Sequence, residues 1–474
     1  MQRNTLKSFQ WSLFTALLRK VILFGVFLLI AKAITKEDLG IFREFSLVLG
    51  IFTSISFLGF KDLLIVKKDN TKALFQQLFL FSIIISLLTL VVLSFLAPMI
   101  GKYYKSDTLT KLIVNLSPLI CLEILRIAVR SYYQKMLRFK LLSIIETINV
   151  VTYSSLIIIF YFFKLDITSL IMIFYFGNLV EFILLLSFES KLIKDTLVKI
   201  FTTELVKDFL TTYKTNYKFL LTATSNNLAS QLITNLPVII LGILFNPTFI
   251  GIFYLANQLI GQPVVLACNS LGQVLFPTFT FMSKTEIYEK LRKFFNIVTL
   301  LAYPLFFLLV IYVINLVPMI LGDKWNEALP IVAILAFPLA STMLMNPISS
   351  LPYVLELPHI EMIFMLVNLS LKSIAIYLGH FAGFETALIY YAITTVFIHL
   401  GFISLVTYLV NGNVFNTLLL IIIKAIPTLV FILIYNLLSN FHFGLNLTIM
   451  TTLVGVYLLI GYRRGFVQIR SNSK

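Results

Sequence analysis

Long apolar blocks without charge dominate the chain. Residues 74–100 carry no charged side chain over 27 positions, and residues 294–321 carry none over 28. The hydrocarbon core of a bilayer takes about 20 apolar residues per helix, so each block is long enough to cross it. Neither block alternates apolar with polar positions in the runs of about 10 residues that mark a membrane barrel. The pattern therefore predicts helices. Fourteen such segments follow one another, at roughly 11–34, 41–60, 74–98, 109–132, 141–163, 168–188, 217–244, 250–279, 294–320, 329–350, 360–380, 384–409, 414–438 and 446–462. Pro347, Pro352 and Pro358 interrupt the pattern between the tenth and the eleventh. The first segment follows Arg3 and Lys7, in the manner of a signal peptide. Its length of about 24 residues exceeds a signal core and no small-residue cleavage site follows, so it reads as a retained helix. The expected fold class is an all-α integral membrane protein with about 14 transmembrane helices.

Composition agrees, with 59% of residues hydrophobic and 12% charged; a soluble chain of this length needs a larger charged share. The net charge of +16 is explained by where it sits. With the N-terminus in the cytoplasm, the loops on that side carry 24 Lys and Arg against seven on the other. Positive residues stay inside, so both termini are expected in the cytoplasm of a multi-pass inner-membrane protein. No nucleic-acid partner is needed to account for the charge. Cys121 and Cys268 both lie in apolar stretches and suggest neither a disulfide framework nor a metal site.

The chain contains an internal repeat. Pro98-Met99-Ile100 recurs as Pro318-Met319-Ile320, and Pro118-Leu119 recurs as Pro338-Leu339, both 220 residues later. Leu39-Gly40-Ile41-Phe42 is matched by Ile250-Gly251-Ile252-Phe253. Each unit holds six helices, so the copies enter the membrane with the same polarity, a parallel repeat. The expected organisation is a six-helix lobe over 1–190, a basic cytoplasmic linker over 191–216, a second six-helix lobe over 217–410, and two further helices with a cytoplasmic tail over 411–474. No loop is long enough to fold as a catalytic domain, so function must reside among the helices.

Charge within a span is costly, about 2.5–3.5 kcal/mol near the centre on insertion scales, and each case needs a reason. Glu123, Arg126 and Arg130 fall within roughly 60° of one face of the fourth segment. They read either as a cavity wall for an anionic head group, or as an internal ion pair with Arg130 snorkelling to the interface. Arg19 and Lys20 cannot share a face, and Arg19 is the better candidate for a cavity. Arg43 and Glu44 open the second segment and read as an interfacial salt bridge. Lys372, with apolar runs on both sides, is a cavity candidate equal to Arg126. Lys424 is central in the thirteenth segment. Glu146 and Glu181, with Glu123, are candidates for binding a coupling proton or Na⁺; each could equally neutralise a nearby cation. Polar residues at 222–235, among them Asn226, Asn227 and Gln231, and Asn257 and Gln258 in the eighth segment, suit either sugar hydroxyls or helix–helix hydrogen bonds. No Walker loop, nucleophile elbow or His/Cys cluster is present, so neither an enzyme activity nor a metal or other cofactor is expected.

Three stretches resemble one family. "AKAITKEDLGIF" (31–42) resembles the opening signature of Wzx-type polysaccharide flippases. "GIFYLANQLIGQPVVLACNSLGQVLFPTFTFM" (251–282) and "ILGDKWNEALPIVAILA" (320–336) resemble signatures of the same family further along. The resemblance covers most of residues 1–350. It implies membership of the multidrug/oligosaccharidyl-lipid/polysaccharide exporter superfamily, with two six-helix lobes around a central cavity that opens alternately to each side. It also implies a substrate, sugar repeat units on a polyprenyl pyrophosphate carrier, moved from the cytoplasmic to the periplasmic leaflet for O-antigen, capsule or exopolysaccharide. A polysaccharide polymerase and a chain-length regulator would be partners alongside membrane lipid. On this reading Arg126, Lys372, Arg19 and Arg130 attract the pyrophosphate. The alternatives are a lipid II flippase or a drug/cation antiporter of the same superfamily and, less well fitted, a membrane glycosyltransferase or polymerase.

Overall fold

Backbone amides and carbonyls find no hydrogen-bond partners in lipid, so a chain with this pattern must satisfy them within helices. The computed structural model describes residues 2–57, 59–67, 71–163, 166–199, 202–437 and 446–459, and these contain helices and no strand. The helices are α1 (Gln2–Ala33), α2 (Lys36–Ser56), α3 (Phe60–Val66), α4 (Thr71–Tyr103), α5 (Asp107–Leu116), α6 (Pro118–Lys135), α7 (Phe139–Phe163), α8 (Ile167–Phe188), α9 (Ser190–Lys199) and α10 (Thr203–Leu244). They continue with α11 (Pro247–Phe279), α12 (Lys284–Ile297), α13 (Tyr303–Leu321), α14 (Ala328–Met345), α15 (Leu351–Val354), α16 (Pro358–His380), α17 (Phe384–Leu409) and α18 (Val414–Leu437). A shorter apolar helix, α19, spans Asn446–Leu459. Among the described residues, eleven helical stretches are long and apolar enough to cross a membrane, and α5 with α6 makes a twelfth when that bent pair is taken as one span. The protein is an all-α integral membrane protein. The C-terminal tail beyond residue 459 lies outside the described residues.

Local chemistry sets the ends and the bends. The predicted segment 109–132 is two helices, bent by 56°, because Pro118 lacks an N–H and starts a new helix at α6. Its repeat counterpart, Pro338, stays inside α14, and Pro98 and Pro318 lie near the ends of α4 and α13. The basic stretch after α8 is itself helical: α9 buries Leu192, Ile193 and Thr196, and Lys72 Nζ lies 2.7 Å from Asp195 Oδ2. That hydrogen bond holds the exposed Asp195 carboxyl below the ordinary carboxylate range. In α10 the backbone leaves helical geometry at Asn216 (φ −111°, ψ 15°), between its basic first half and its apolar second half. Ser283 caps α12 in a reciprocal box: Glu286 N–H donates to Ser283 Oγ (3.4 Å), and Ser283 N–H donates to Glu286 Oε2 (2.7 Å). Replacing Ser283 with alanine is expected to lower stability by about 1 kcal/mol, read from thermal melting in detergent.

The described residues group into two compact units, Met1–Gly251 and Ile252–Lys474. In the first, α1 packs on α7, α4 on α5 and α6, α8 on α6 and α7, and α10 on α2. In the second, α17 packs on α14 and α16, and α18 on α13. There Leu447 and Met450 of α19 meet Ile311 of α13, with Phe431, Ile434 and Tyr435 of α18 packed against them, and Tyr312 shares a 2.9 Å hydrogen bond with Thr451. Large apolar side chains such as Phe95 and Phe397 remain exposed, as a surface facing lipid requires.

One contact in the first unit depends on glycine. A Cβ on Gly40 would lie 1.8 Å from the Pro247 carbonyl oxygen, and one on Gly251 would lie 1.9 Å from the Lys36 carbonyl oxygen. The first turns of α2 and α11 therefore touch backbone to backbone, and they do so reciprocally. Each glycine meets the carbonyl four residues before the other.

Candidate functional site

The fourth predicted segment carried three charges on one face, and α6 presents them together. Arg126 donates to Glu123 one turn back, from Nε to Oε2 at 3.2 Å and from Nη2 to Oε1 at 2.5 Å. Its Nη1 donates to Glu181 Oε2 on α8 at 2.8 Å. Arg130, the next turn along, donates from Nη1 to the other oxygen of Glu181 at 2.9 Å and pairs with Glu146 on α7. Glu146 Oε2 in turn lies 2.8 Å from Arg19 Nη2 on α1. Charges therefore alternate along one chain, Glu123–Arg126–Glu181–Arg130–Glu146–Arg19, carried by four helices. Three positive and three negative charges balance.

Polar neighbours complete the ladder. Asn149 Nδ2 donates to Glu181 Oε2 at 2.8 Å and Asn178 Nδ2 donates to Glu123 Oε2 at 3.2 Å. Arg19 Nη1 reaches the Ser143 carbonyl and Oγ, both at 3.0 Å, and Thr147 Oγ1 at 3.2 Å. Glu181 is the most enclosed member, its side chain 2% exposed, while Arg130 is 27% exposed. A buried ion pair offsets its desolvation only when its hydrogen bonds are complete, and this ladder meets that condition. Asn149 and Asn178 carry no charge and did not stand out in the sequence. Asn149 follows Glu146 by three residues and Asn178 precedes Glu181 by three, so each shares a helix face with one acid of the ladder while donating to an acid on another helix.

In the first unit, the amide candidates of α10 make contacts of their own. Asn227 Nδ2 donates to Asp62 Oδ2 at 2.9 Å, and Gln231 accepts from Asn235 through its carbonyl and side chain at 2.8 and 3.1 Å. Asn226 is exposed on the same helix. In the second unit, Tyr254, Gln258 and Gln262 form a hydrogen-bonded row along α11, with Gln258 Nε2 donating to Tyr254 Oη (2.8 Å) and Gln262 Nε2 to Gln258 Oε1 (2.7 Å). Asn257 sits beside Gly261. Lys372 makes no ion pair among the described residues; its Nζ lies 5.5 Å from the centroid of the Tyr391 ring on α17, a cation–π distance. Close by in sequence on α17, His399 shares a 2.8 Å hydrogen bond from Nδ1 to Ser341 Oγ on α14.

The expected salt bridge between Arg43 and Glu44 does not form. Neighbours on a helix point about 100° apart, and the Arg43 guanidinium donates to Asn235 on α10. Glu44 is fully buried, and neither of its carboxyl oxygens has a hydrogen-bond partner.

Guanidinium groups are flat forks that match phosphate as well as carboxylate. The ladder is thus a set of three such forks, each already occupied by carboxylates, that an incoming phosphate group can contest. A model of the family described as polysaccharide biosynthesis protein matches residues 29–330. The lipopolysaccharide biosynthesis protein WzxC of Escherichia coli is 22% identical over 360 residues, 74% of this chain and 70% of that one. The teichuronic acid biosynthesis protein TuaB of Bacillus subtilis is 26% identical over 294 residues, 61% of this chain and 59% of that one. Among solved structures, the lipid II flippase MurJ in an inward closed conformation superposes with a TM-score of 0.68 at 15% identity, over 96% of this chain and 99% of that one. An inward-facing multidrug resistance MATE family transporter gives 0.59 at 12% identity, over 83% and 94%. With more than half its length matched, the chain belongs to the polysaccharide biosynthesis protein family.

Proposed function

We propose that the protein is a flippase for oligosaccharide repeat units linked to polyprenyl pyrophosphate. It moves them from the cytoplasmic to the periplasmic leaflet of the inner membrane by alternating access, for surface polysaccharide synthesis. Both termini face the cytoplasm, and the two six-helix lobes descend from one duplicated unit. The observation that carries the reading is the arginine ladder among membrane-spanning helices of a polysaccharide biosynthesis family member. Transport, not catalysis, is what such an interior supports. A pyrophosphate is the anion that three guanidinium forks suit best, because its several oxygens accept paired N–H donors. Arg126, Arg130 and Arg19 take the pyrophosphate in exchange for Glu123, Glu181 and Glu146. Lys372 is a further substrate-binding cation, and the amides Asn226, Asn227, Gln231, Asn257 and Gln258 accommodate sugar hydroxyls. Glu123, Glu146 and Glu181, once released from their arginines, are free to take up a coupling cation. A polysaccharide polymerase and a chain-length regulator act on the product.

Proteoliposome flipping of a polyprenyl-pyrophosphate oligosaccharide tests this. Wild type is expected to flip the lipid. Lys372→Ala is expected to reduce the rate by about 10-fold, the loss of a charge-assisted contact worth roughly 1.5 kcal/mol. A wild type that is inactive on several such lipids but exports organic cations is instead an antiporter.

A further inference from the structure

Glu44 is the acid that the ladder does not use. Its side chain is fully buried, and neither carboxyl oxygen meets a donor. Every carboxylate of the ladder, by contrast, is held by at least one arginine. Glu44 lies on α2 one turn after Gly40, where α2 touches the first turn of α11 backbone to backbone. From α10, Gly242 closes against it: a Cβ there would lie 3.4 Å from Glu44 Oε1 and 2.4 Å from the Tyr104 ring. The seam between α2 and the α10–α11 connection thus has glycines at Gly40, Gly242 and Gly251, and an unpartnered acid packed among them.

The ionisable and charged groups around Glu44 are few. Tyr104 follows α4 and faces the same glycine. Arg43, next to Glu44 on α2, directs its guanidinium to Asn235 of α10. Lys105 Nζ, on the exposed rim, takes the Leu244 carbonyl at 3.1 Å. None of them hydrogen-bonds the carboxyl. A metal cation would need several ligands gathered around it, and among the described residues no group of three or more His, Cys, Asp or Glu side chains is placed to hold one. The remaining ligand is a proton.

We infer that Glu44 is a proton-binding site whose occupancy controls whether the seam between α2 and the α10–α11 connection is sealed. The sealed seam holds the neutral acid at modest cost. An ionised carboxylate in the same position would be a buried charge without compensation, and it gains hydration only if the seam opens. Opening frees the proton to water and closure takes it back, with no other reactant involved. By linkage, acid favours the sealed state and base favours the open one. The proposal is independent of what the protein carries.

Hydrogen–deuterium exchange of the full-length protein in lipid nanodiscs tests it without substrate. Peptides covering 36–45 and 241–251 are followed from acid to mildly alkaline pH, with correction for the intrinsic exchange rate. The wild type is expected to lose protection in both peptides by at least about 10-fold as pH rises. Glu44→Gln, neutral at every pH and of the same shape, is expected to stay protected throughout. A wild-type profile flat with pH, or a Glu44→Gln profile that follows the wild type, overturns the proposal. Infrared spectra of the wild type supply a second measurement that does not depend on the variant folding. A buried carboxylic acid C=O band that disappears together with the protection supports the proposal, and a band that persists after protection is lost refutes it.

Discussion

Arg126→Ala is expected to abolish flipping, by at least about 100-fold, while costing about 3 kcal/mol of stability. The two effects have separate origins. Hydrogen bonds to charged groups are worth about 1.5–3 kcal/mol each, so losing a two-pronged contact to a phosphate costs about two decades or more. Breaking a buried pair costs about 3–5 kcal/mol when it strands a charge. Here the lower end applies, because the remaining contacts are substantial. Glu181 keeps Arg130 at 2.9 Å and Asn149 at 2.8 Å, and Glu123 keeps Asn178 at 3.2 Å. The cluster is left with one excess negative charge, which repels the substrate as well. Arg126→Lys separates the two effects. It restores the balance of charge but not the fork that spans Glu123 and Glu181, so stability should recover more than transport. Thermal melting in detergent and flipping in proteoliposomes give the two readings. If Arg126→Ala folds and flips at the wild-type rate, the arginine is a structural tie and the pyrophosphate binds elsewhere.

How much of this site could be read in advance follows from the kind of information each part needs. The three charges of α6 were legible because helical spacing alone puts Glu123, Arg126 and Arg130 on one face. Arg19, Glu146 and Glu181 stood out singly as charges in apolar segments, and their alternating order did not. That order depends on the register of four helices against one another, which side-chain packing sets. The helices themselves were legible from length and hydropathy. The break at Pro118 was not, since Pro338 has the same sequence neighbour and stays within its helix. Glu44 is the instructive miss. Next to Arg43 and near a helix start, it has the sequence context of a surface pair. Only the neighbours brought by α10, with Asn235 drawing Arg43 away and Gly242 closing over the carboxyl, make it a buried acid.

The glycines of the repeated motif lead to the other large effect. Gly40→Ala is expected to destabilise the protein by about 3 kcal/mol, at the upper end for inserting a group into packed structure. The added methyl would meet the Pro247 carbonyl oxygen at 1.8 Å and its carbon at 2.6 Å, and backbone cannot rotate aside as a side chain can. Gly251→Ala meets the same obstacle at Lys36, at 1.9 and 2.9 Å. Gly50→Ala, on the same helix as Gly40, is the control: nothing lies within 4 Å of its Cβ, and alanine is favoured over glycine in a helix by up to about 1 kcal/mol. It should leave melting unchanged or raise it. The double variant Gly40→Ala/Gly251→Ala discriminates further. If the two glycines serve one reciprocal contact, the first substitution already forces α2 and α11 apart, and the second then costs much less than it does alone. Strictly additive losses would mean that each methyl is resisted by a separate obstacle. The shared motif at 39–42 and 250–253 would then reflect common descent of the two segments and not a contact they jointly make.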